Sequence, residues 1–362
     1  MKIVISTDKL NRGGKEKQLL LLAKGLLERG YDVFVLSKKD IDQDNYYKEI
    51  GFPREFIKTY GDSNRIRNKQ RFVEIVSKFT PKLILNFDIH SSLWSNRYFK
   101  STDETKVVNC TIRRGTPYNN IRSRLLSNIC LRRSKYVIAN SHAGLKLFHK
   151  QESRFQKVIY NGIDLSIYKN VRPIDLSQIF DQKEDNSSIT KTLVSIGGLY
   201  KHKGHMTLIK ALAMTDNKVC ALIIGEGPER AKLQSKIDEQ GISDRVKLIG
   251  RKHDVVSYLK SADIYVNPSW GEGCSNAILE AMASDLPVIT TRDGGTPEIT
   301  HEQSTLFFKK NDPHALARCI HDSFEDINID TSGLDSWISQ FCNDKMVEEY
   351  ISFFNSITNS EE

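Results

Sequence analysis

Two glutamates with seven residues between them, Glu272 and Glu280, lie in the segment Pro268-Ser-Trp-Gly-Glu272-Gly-Cys-Ser-Asn-Ala-Ile-Leu-Glu280. The glycine-bearing part separates an apolar run that predicts a strand from one that predicts a helix. A turn of this kind offers backbone N–H groups at a helix start, where the helix dipole reinforces them, and phosphate is the natural ligand. Glu280, about a turn and a half into the helix, can reach past a phosphate to the vicinal hydroxyls of a sugar. Glu272 precedes the helix and faces the space that a transferred group would fill. A blander reading makes both glutamates favourable charges near a helix N-terminus.

Three further turns have related chemistry. Ser195-Ile-Gly197-Gly198-Leu-Tyr-Lys-His-Lys203-Gly204 runs from a strand into a glycine turn, and its lysine can neutralise a diphosphate. Gly225-Glu-Gly-Pro228-Glu-Arg230 reads as a turn with proline opening a helix. Gly13-Gly14 follows the first predicted strand and permits close backbone approach. Each of these is common on its own.

The elements that must position these residues alternate along the whole chain. Strand 2–7, a helix over 15–29 stopped by Gly30, and strand 31–37 form a strand–helix–strand unit. Further strands are expected at 82–87, 106–111 and 135–139. The pattern resumes with strand 191–196, helix 205–214, strand 218–225, helix 228–240 and strand 245–249. Strand 263–267, helix 275–284 and strand 287–291 complete it. Short connections between parallel strands and covering helices predict doubly wound α/β domains. The polar stretch 166–190 reads as a linker.

A chain of 362 residues, 39% hydrophobic and 27% charged, accommodates two domains with packed cores and excludes disordered, collagen-like and coiled-coil classes. No apolar run approaches the ~20 residues of a membrane span. The amino terminus lacks the features of a signal peptide, so a cytoplasmic location is expected. Six scattered cysteines form neither metal knuckles nor a redox pair. The net charge of +8 is unevenly placed. Residues 1–165 hold 32 Lys and Arg against 16 Asp and Glu, and the remainder 21 against 29. Between Thr105 and Gln151 there are ten basic residues and no acidic one. The helical part, 119–133, sets Arg122, Arg124, Arg132 and Arg133 beside apolar residues, and packing against the sheet is expected to take most of its leucines. Each basic residue near an anionic leaflet contributes about 1 kcal/mol, so peripheral attachment at the inner face of the cell membrane is expected.

Taken together and in this order, the segments resemble the retaining glycosyltransferases of family 4, which have the two-domain GT-B fold. Glu272 and Glu280 match that family's paired-glutamate motif. Ser195–Gly204 is similar to its Gly-Arg-Leu…Lys-Gly loop, Gly225–Arg230 to its Gly-x-Gly-Pro turn, and Asn161-Gly162-Ile163-Asp164 to its Asn-Gly-Val-Asp. The opening, Gly13-Gly14 through Glu28-Arg29-Gly30, also resembles the family's, and the similarity covers residues 2 to 300.

The resemblance implies two Rossmann-like domains facing a central cleft: an acceptor-binding domain 1–165, the linker 166–190, and a nucleotide-sugar domain 191–362. The last helix, 343–357, is free to pack back on the first domain. It also implies that Glu272 and Lys203 are catalytic and that Glu280 holds the ribose. Gly14, Gly198, Lys203, Gly273, Cys274, Ser275 and Asn276 would contact the donor, and the backbone near Arg251 its base. No metal and no cofactor beyond the nucleotide-sugar substrate are expected. Ser275-Asn276 is similar to members that build cell-surface polysaccharide or lipopolysaccharide, commonly from uridine-linked donors, on glycan or polyprenol-pyrophosphate-linked acceptors.

Two departures stand out. Gly198 occupies the place of the customary arginine, and no histidine is found where the family carries one after a strand of the first domain. Arg113, or else His90 of Asp88-Ile-His90-Ser91, is the candidate there, on the acceptor or donor-sugar side. A sugar-nucleotide epimerase of similar fold is the nearest alternative, and the paired glutamates speak against it. A dinucleotide oxidoreductase lacks its Gly-x-Gly-x-x-Gly signature. A nucleic-acid-binding protein would explain the basic half but not the glycine loops, and the basic stretch has few aromatics for base stacking. Asp42-Gln-Asp44 resembles the metal-binding Asp-x-Asp of another transferase fold and is discounted in its polar loop.

Overall fold

The computed structural model describes residues 1–39, 46–61, 64–99, 104–115, 121–148, 155–176, 179–180, 191–325 and 329–359. Asp42–Asp44, Thr116–Pro117 and the polar run from Asp181 lie outside them. The chain divides into two compact units, Met1–Gly162 with Phe341–Glu362, and Ile163–Gln340.

The first unit is built on seven parallel strands. They are β1 (Lys2–Thr7), β2 (Asp32–Ser37), β3 (Ile57–Thr59), β4 (Leu83–Asn86), β5 (Lys106–Ile112), β6 (Tyr136–Ala139) and β7 (Phe155–Val158), in the order 3-2-1-4-5-6-7. The second has six parallel strands: β8 (Lys191–Ile196), β9 (Val219–Ile224), β10 (Val246–Gly250), β11 (Ile264–Asn267), β12 (Val288–Thr291) and β13 (Thr305–Phe308), in the order 10-9-8-11-12-13. Strands such as Lys-Ile-Val-Ile-Ser-Thr and Val-Cys-Ala-Leu-Ile-Ile are buried nearly throughout because helices cover both faces of a parallel sheet. In each sheet the order reverses beside the first strand, between β1 and β4 and between β8 and β11. Ligands of doubly wound folds bind at the carboxyl ends of the strands on either side of such a reversal.

The boundary between the units differs from the expected one. The stretch after Gly162 belongs to the second unit, because the Ile174 backbone N–H donates to Ser261 Oγ (2.6 Å) and the same hydroxyl donates back to the Ile174 carbonyl (3.2 Å). At the other end, the helix Asn343–Thr358 packs on the helix Gly14–Glu28 of the first unit. Its buried residues Met346, Val347, Tyr350, Phe353, Phe354 and Ile357 recur at helical spacing and join the β1–β2 core. Burying side chains of this size contributes about 1.5–3 kcal/mol each. Arg29 pairs with Asp344 at 2.8 Å, and the Gly162 N–H points at Met346 Sδ (3.1 Å).

The contact between these two helices turns on Gly25, where an added Cβ would lie 2.5 Å from Val347 Cγ2. Alanine is the better helix former, yet Gly25→Ala should lower stability by roughly 1–3 kcal/mol through overpacking. In a urea double-mutant cycle, Gly25→Ala with Val347→Ala should cost less than the sum of the single changes. Additive effects would mean that the helices do not touch there.

Candidate functional site

At the reversal in the second sheet, the chain leaves β8 through Gly197-Gly198 and a short 3-10 turn, Lys201–Lys203. It leaves β11 through Pro268–Ser275 into the helix Asn276–Met282. Gly204 sits at φ +71°, a left-handed conformation that other residues avoid, and a Cβ there would collide with the Pro268 carbonyl. The two loops are therefore in backbone contact. The Trp270 N–H donates to the His202 carbonyl (3.0 Å), and the Ser269 hydroxyl lies 3.3 Å from the same oxygen.

This crossing brings together residues 69 positions apart: the Lys203 ammonium donates to Glu272 Oε1, which also accepts from Ser269 Oγ at 2.8 Å. Both side chains are largely covered, Lys203 26% and Glu272 18% exposed. Burial raises the Glu272 carboxyl, but the Lys203 charge and the bonds from Lys203 and Ser269 outweigh it and hold the group below its ordinary value. Glu280 is buried in the helix, one turn further from the loop. Tyr265 of β11 donates to the Ile196 carbonyl (3.3 Å). Its phenol is pushed well up by burial and by the charges of Glu280 and Glu272, so it stays neutral between them. His205 opens the next helix, buried, and burial with the Lys203 and His202 charges holds it down at about 3. Its Nδ1 has no partner among the described residues.

Of the expected donor residues, Gly198, Lys203, Gly273, Cys274, Ser275, Asn276 and Glu280 thus fall on the two loops and the helix they enter. Arg251 lies just past β10 and is exposed. Gly14 is in the first unit, as the first residue of the helix Gly14–Glu28. The structure adds Ser269, which joins the two loops, and Tyr265. A serine and a tyrosine at a strand end carry no sequence signal until the neighbouring strand is known.

The first sheet has its own cavity at its own reversal, about 350 Å³, lined by Asp8, Lys15, Phe87, Asp88, Ile89, His90, Thr111, Arg113 and Arg114. His90 and Arg113, the two acceptor-side candidates, both line it. Asp88 caps the helix Ile89–Tyr98, accepting from the His90 (2.9 Å) and Ser91 (3.0 Å) N–H groups. The His90 ring stacks on Trp94 one turn along. Asp8 and Lys15 form an ion pair. Burial opposes both charges, but the pairing prevails, lowering the Asp8 carboxyl and, with Glu16, raising the Lys15 ammonium. The Arg113 guanidinium lies over Phe87 (4.5 Å) and donates to Asn161 Oδ1 (3.0 Å) and the Tyr350 hydroxyl (3.3 Å). It braces the cavity wall against the last helix.

Two family profiles match the chain in succession: Glycosyltransferase Family 4 over residues 12–167, and Glycosyl transferases group 1 over residues 190–326. The chain belongs to the family 4, group 1 glycosyltransferases. Among curated relatives, the lipopolysaccharide core biosynthesis glycosyltransferase LpsE of Rhizobium meliloti is 28% identical over 48% of this chain and 52% of its own. An N-acetylgalactosaminyltransferase of Campylobacter jejuni, named for a diphospho-undecaprenol-linked substrate, is 27% identical over 48% of this chain and 46% of its own. The chain thus spans about half the length of the curated relatives it matches. Anabaena HepE, solved with UDP and glucose, superposes with a TM-score of 0.84 over 98% of this chain and 100% of its own, at 22% identity. The fold is GT-B: two Rossmann-like units of seven and six parallel strands.

The Lys203–Glu272 pair makes a pH-dependent contribution to stability. A carboxyl lowered in the folded state stabilises above its unfolded value, and that contribution is lost as pH falls through the folded value. Glu272→Gln should therefore cost roughly 1–3 kcal/mol of unfolding free energy at neutral pH. The gap to the parent should close as pH drops below the ordinary value of 4.5. A gap constant down to low pH would mean that Glu272 is not held ionised by Lys203.

Proposed function

We propose that the chain is a retaining hexosyltransferase that moves a sugar from a nucleoside-diphosphate donor, uridine-linked, to a glycan or polyprenol-pyrophosphate-linked acceptor in cell-surface polysaccharide or lipopolysaccharide synthesis. The observation that carries this reading is the Lys203–Glu272 pair, with Glu280 one turn behind, at the strand reversal of the second sheet. In this reading Glu280 accepts from the ribose hydroxyls and the amides at 273–276 meet the diphosphate. Lys203 neutralises the charge that builds on the leaving diphosphate as its bond to the sugar breaks. Glu272, released from Lys203, takes the sugar's hydroxyls. The departing oxygen takes the acceptor's proton on the face where the new bond forms, so configuration is retained and no metal or cofactor enters the scheme. The first unit's cavity, with Asp8, Asp88 and His90, receives the acceptor. HepE's occupants and the undecaprenol-linked substrate of the Campylobacter enzyme support the donor and acceptor classes chosen here.

The membrane part of the reading rests on the helix Ile121–Arg132. Only Ser127, Cys130 and Leu131 are buried, whereas Ile121 and Leu125, one turn apart, are 83% and 59% exposed. Packing thus takes fewer of its apolar residues than the sequence led us to expect. Arg122, Arg124, Arg132 and Arg133 are exposed on the same helix and its end. Two apolar side chains among arginines suit an anionic headgroup layer. No helix among the described residues is long and apolar enough to cross a membrane.

Two measurements test these assignments. Glu280→Gln should weaken UDP binding by about 1.5–3 kcal/mol in a protein that still folds, and unchanged affinity would remove Glu280 from the ribose. Changing Arg122, Arg124, Arg132 and Arg133 together to Gln should release the protein from anionic liposomes while sparing UDP binding. Parent binding to those liposomes should itself weaken with salt, since exposed charges are screened beyond about 8 Å at physiological ionic strength. Retention of the quadruple variant would end the membrane reading.

A further inference from the structure

A nucleoside diphosphate carries more negative charge than one lysine can offset, and Lys203 is already paired with Glu272. On the two loops that form the site, residues 197–204 and 268–276, the other basic side chains are Lys201, which is exposed, and His202. Position 198 is a glycine and supplies no cation, and an added Cβ there would lie 2.8 Å from the Tyr200 ring. Tyr200 in turn is stacked on His202, with ring centres 6.0 Å apart and planes 21° apart, and His202 meets Trp270 nearly at right angles at 6.5 Å. The histidine backbone is fixed through its carbonyl by Trp270 and Ser269, and Ser269 is also the hydroxyl that bonds Glu272. The ring is therefore held between two aromatic side chains beside the ion pair. An aromatic face favours a cation laid against it.

We infer that His202 is the second cation of the donor site, taking a proton from solvent as the diphosphate binds and giving it back on release. This rests on the donor-site reading above. The charged and titratable groups around His202 are Tyr200, Lys201 and Lys203 on its own turn, Glu272 on the loop after β11, and His205 on the helix that follows. On the turn after β9, Glu226 and Arg230 are paired with each other at 3.0 Å. An entering anion favours the charged imidazole, because it brings opposite charge and charge-assisted hydrogen bonds. His205 does not compete for the proton: it is buried and stays neutral.

The test is titration calorimetry of the full chain with UDP and, separately, inorganic pyrophosphate, between pH 6 and 8 in buffers of different ionisation heat. Binding should be accompanied by uptake of part of a proton near pH 7. The dissociation constant should rise about tenfold across the range, more steeply than in His202→Gln, whose remaining slope belongs to the ligand's own phosphates. At pH 6 His202→Gln should bind about tenfold more weakly than the parent. His202→Arg should restore tight binding at pH 8 and show no proton uptake, which a merely structural role for the ring would not produce. Equal slopes and affinities in parent and His202→Gln, with Lys203→Ala still damaging, would overturn the inference and leave the donor site standing. No binding of UDP to the parent, or binding that Lys203→Ala leaves untouched, would overturn both.

Discussion

Gly204 lies against the backbone of Pro268, and the second unit's site depends on that approach. Because the residue lacks a Cβ, the turn after β8 can settle onto the loop after β11. The Trp270 N–H and Ser269 hydroxyl then reach the His202 carbonyl, and the register of the two loops is set. Lys203 and Glu272 meet as a consequence, one residue before the crossing on one loop and four residues after it on the other. A bulkier residue at 204 would part the loops and leave two largely covered charges without each other, which is costlier than never burying them.

The electrostatics follow from the same placement. Two carboxylates, Glu272 and Glu280, share a poorly hydrated neighbourhood with one lysine. Tyr265 remains protonated because burial and both glutamates oppose its ionisation, and His205 remains uncharged because burial and Lys203 oppose its protonation. In the proposed reading, an incoming anion is met by Lys203 leaving Glu272. Sugar hydroxyls are apt replacements for that lysine, since they can donate to the carboxylate as it is released.

The sequence was most informative where long periodic segments alternate: β1, β2, β8, β9 and their helices lie within a residue or two of where their patterns place them. Three short strands, β3, β7 and β13, were not visible. β3 is three residues and β7 carries Gln156 and Lys157, so neither has an apolar run to mark it. Strand order was also beyond reach, because each βαβ crossover reads alike whichever side of the sheet it joins. That hid the reason the glycine loops matter: 197–204 and 268–276 meet only because β8 and β11 are neighbours although two strands and three helices separate them in the chain. The loops' glycines and glutamates were legible as residues, whereas Ser269, Tyr265 and His202 acquire roles only from being adjacent in space. The charge split between the halves was legible as arithmetic, but the exposure of Ile121 and Leu125 beside the arginines needed the fold.

Both units use one strand order, yet the loops leaving their corresponding strands hold different chemistry. In the first, the loop after β1 carries Asp8 opposite Lys15, and the residue after β4 that matters, Asp88, spends its carboxylate on capping the next helix. Those groups are largely satisfied by one another, which leaves a cavity whose walls are fixed before any ligand arrives. Arg113, tied to Asn161 and Tyr350, adds to that rigidity by joining β5 to the last helix. Gln18 adds again, bonding both the N–H (2.7 Å) and the carbonyl (2.8 Å) of Gly162. In the second unit the corresponding loops hold the Lys203–Glu272 ion pair, which in the proposed reading is broken when an anion binds. A preformed cavity suits a substrate recognised by shape and hydroxyl pattern, and a breakable ion pair suits one recognised by charge. The repeated fold supplies two positions for ligands, and the loop residues decide that they are not the same kind of ligand.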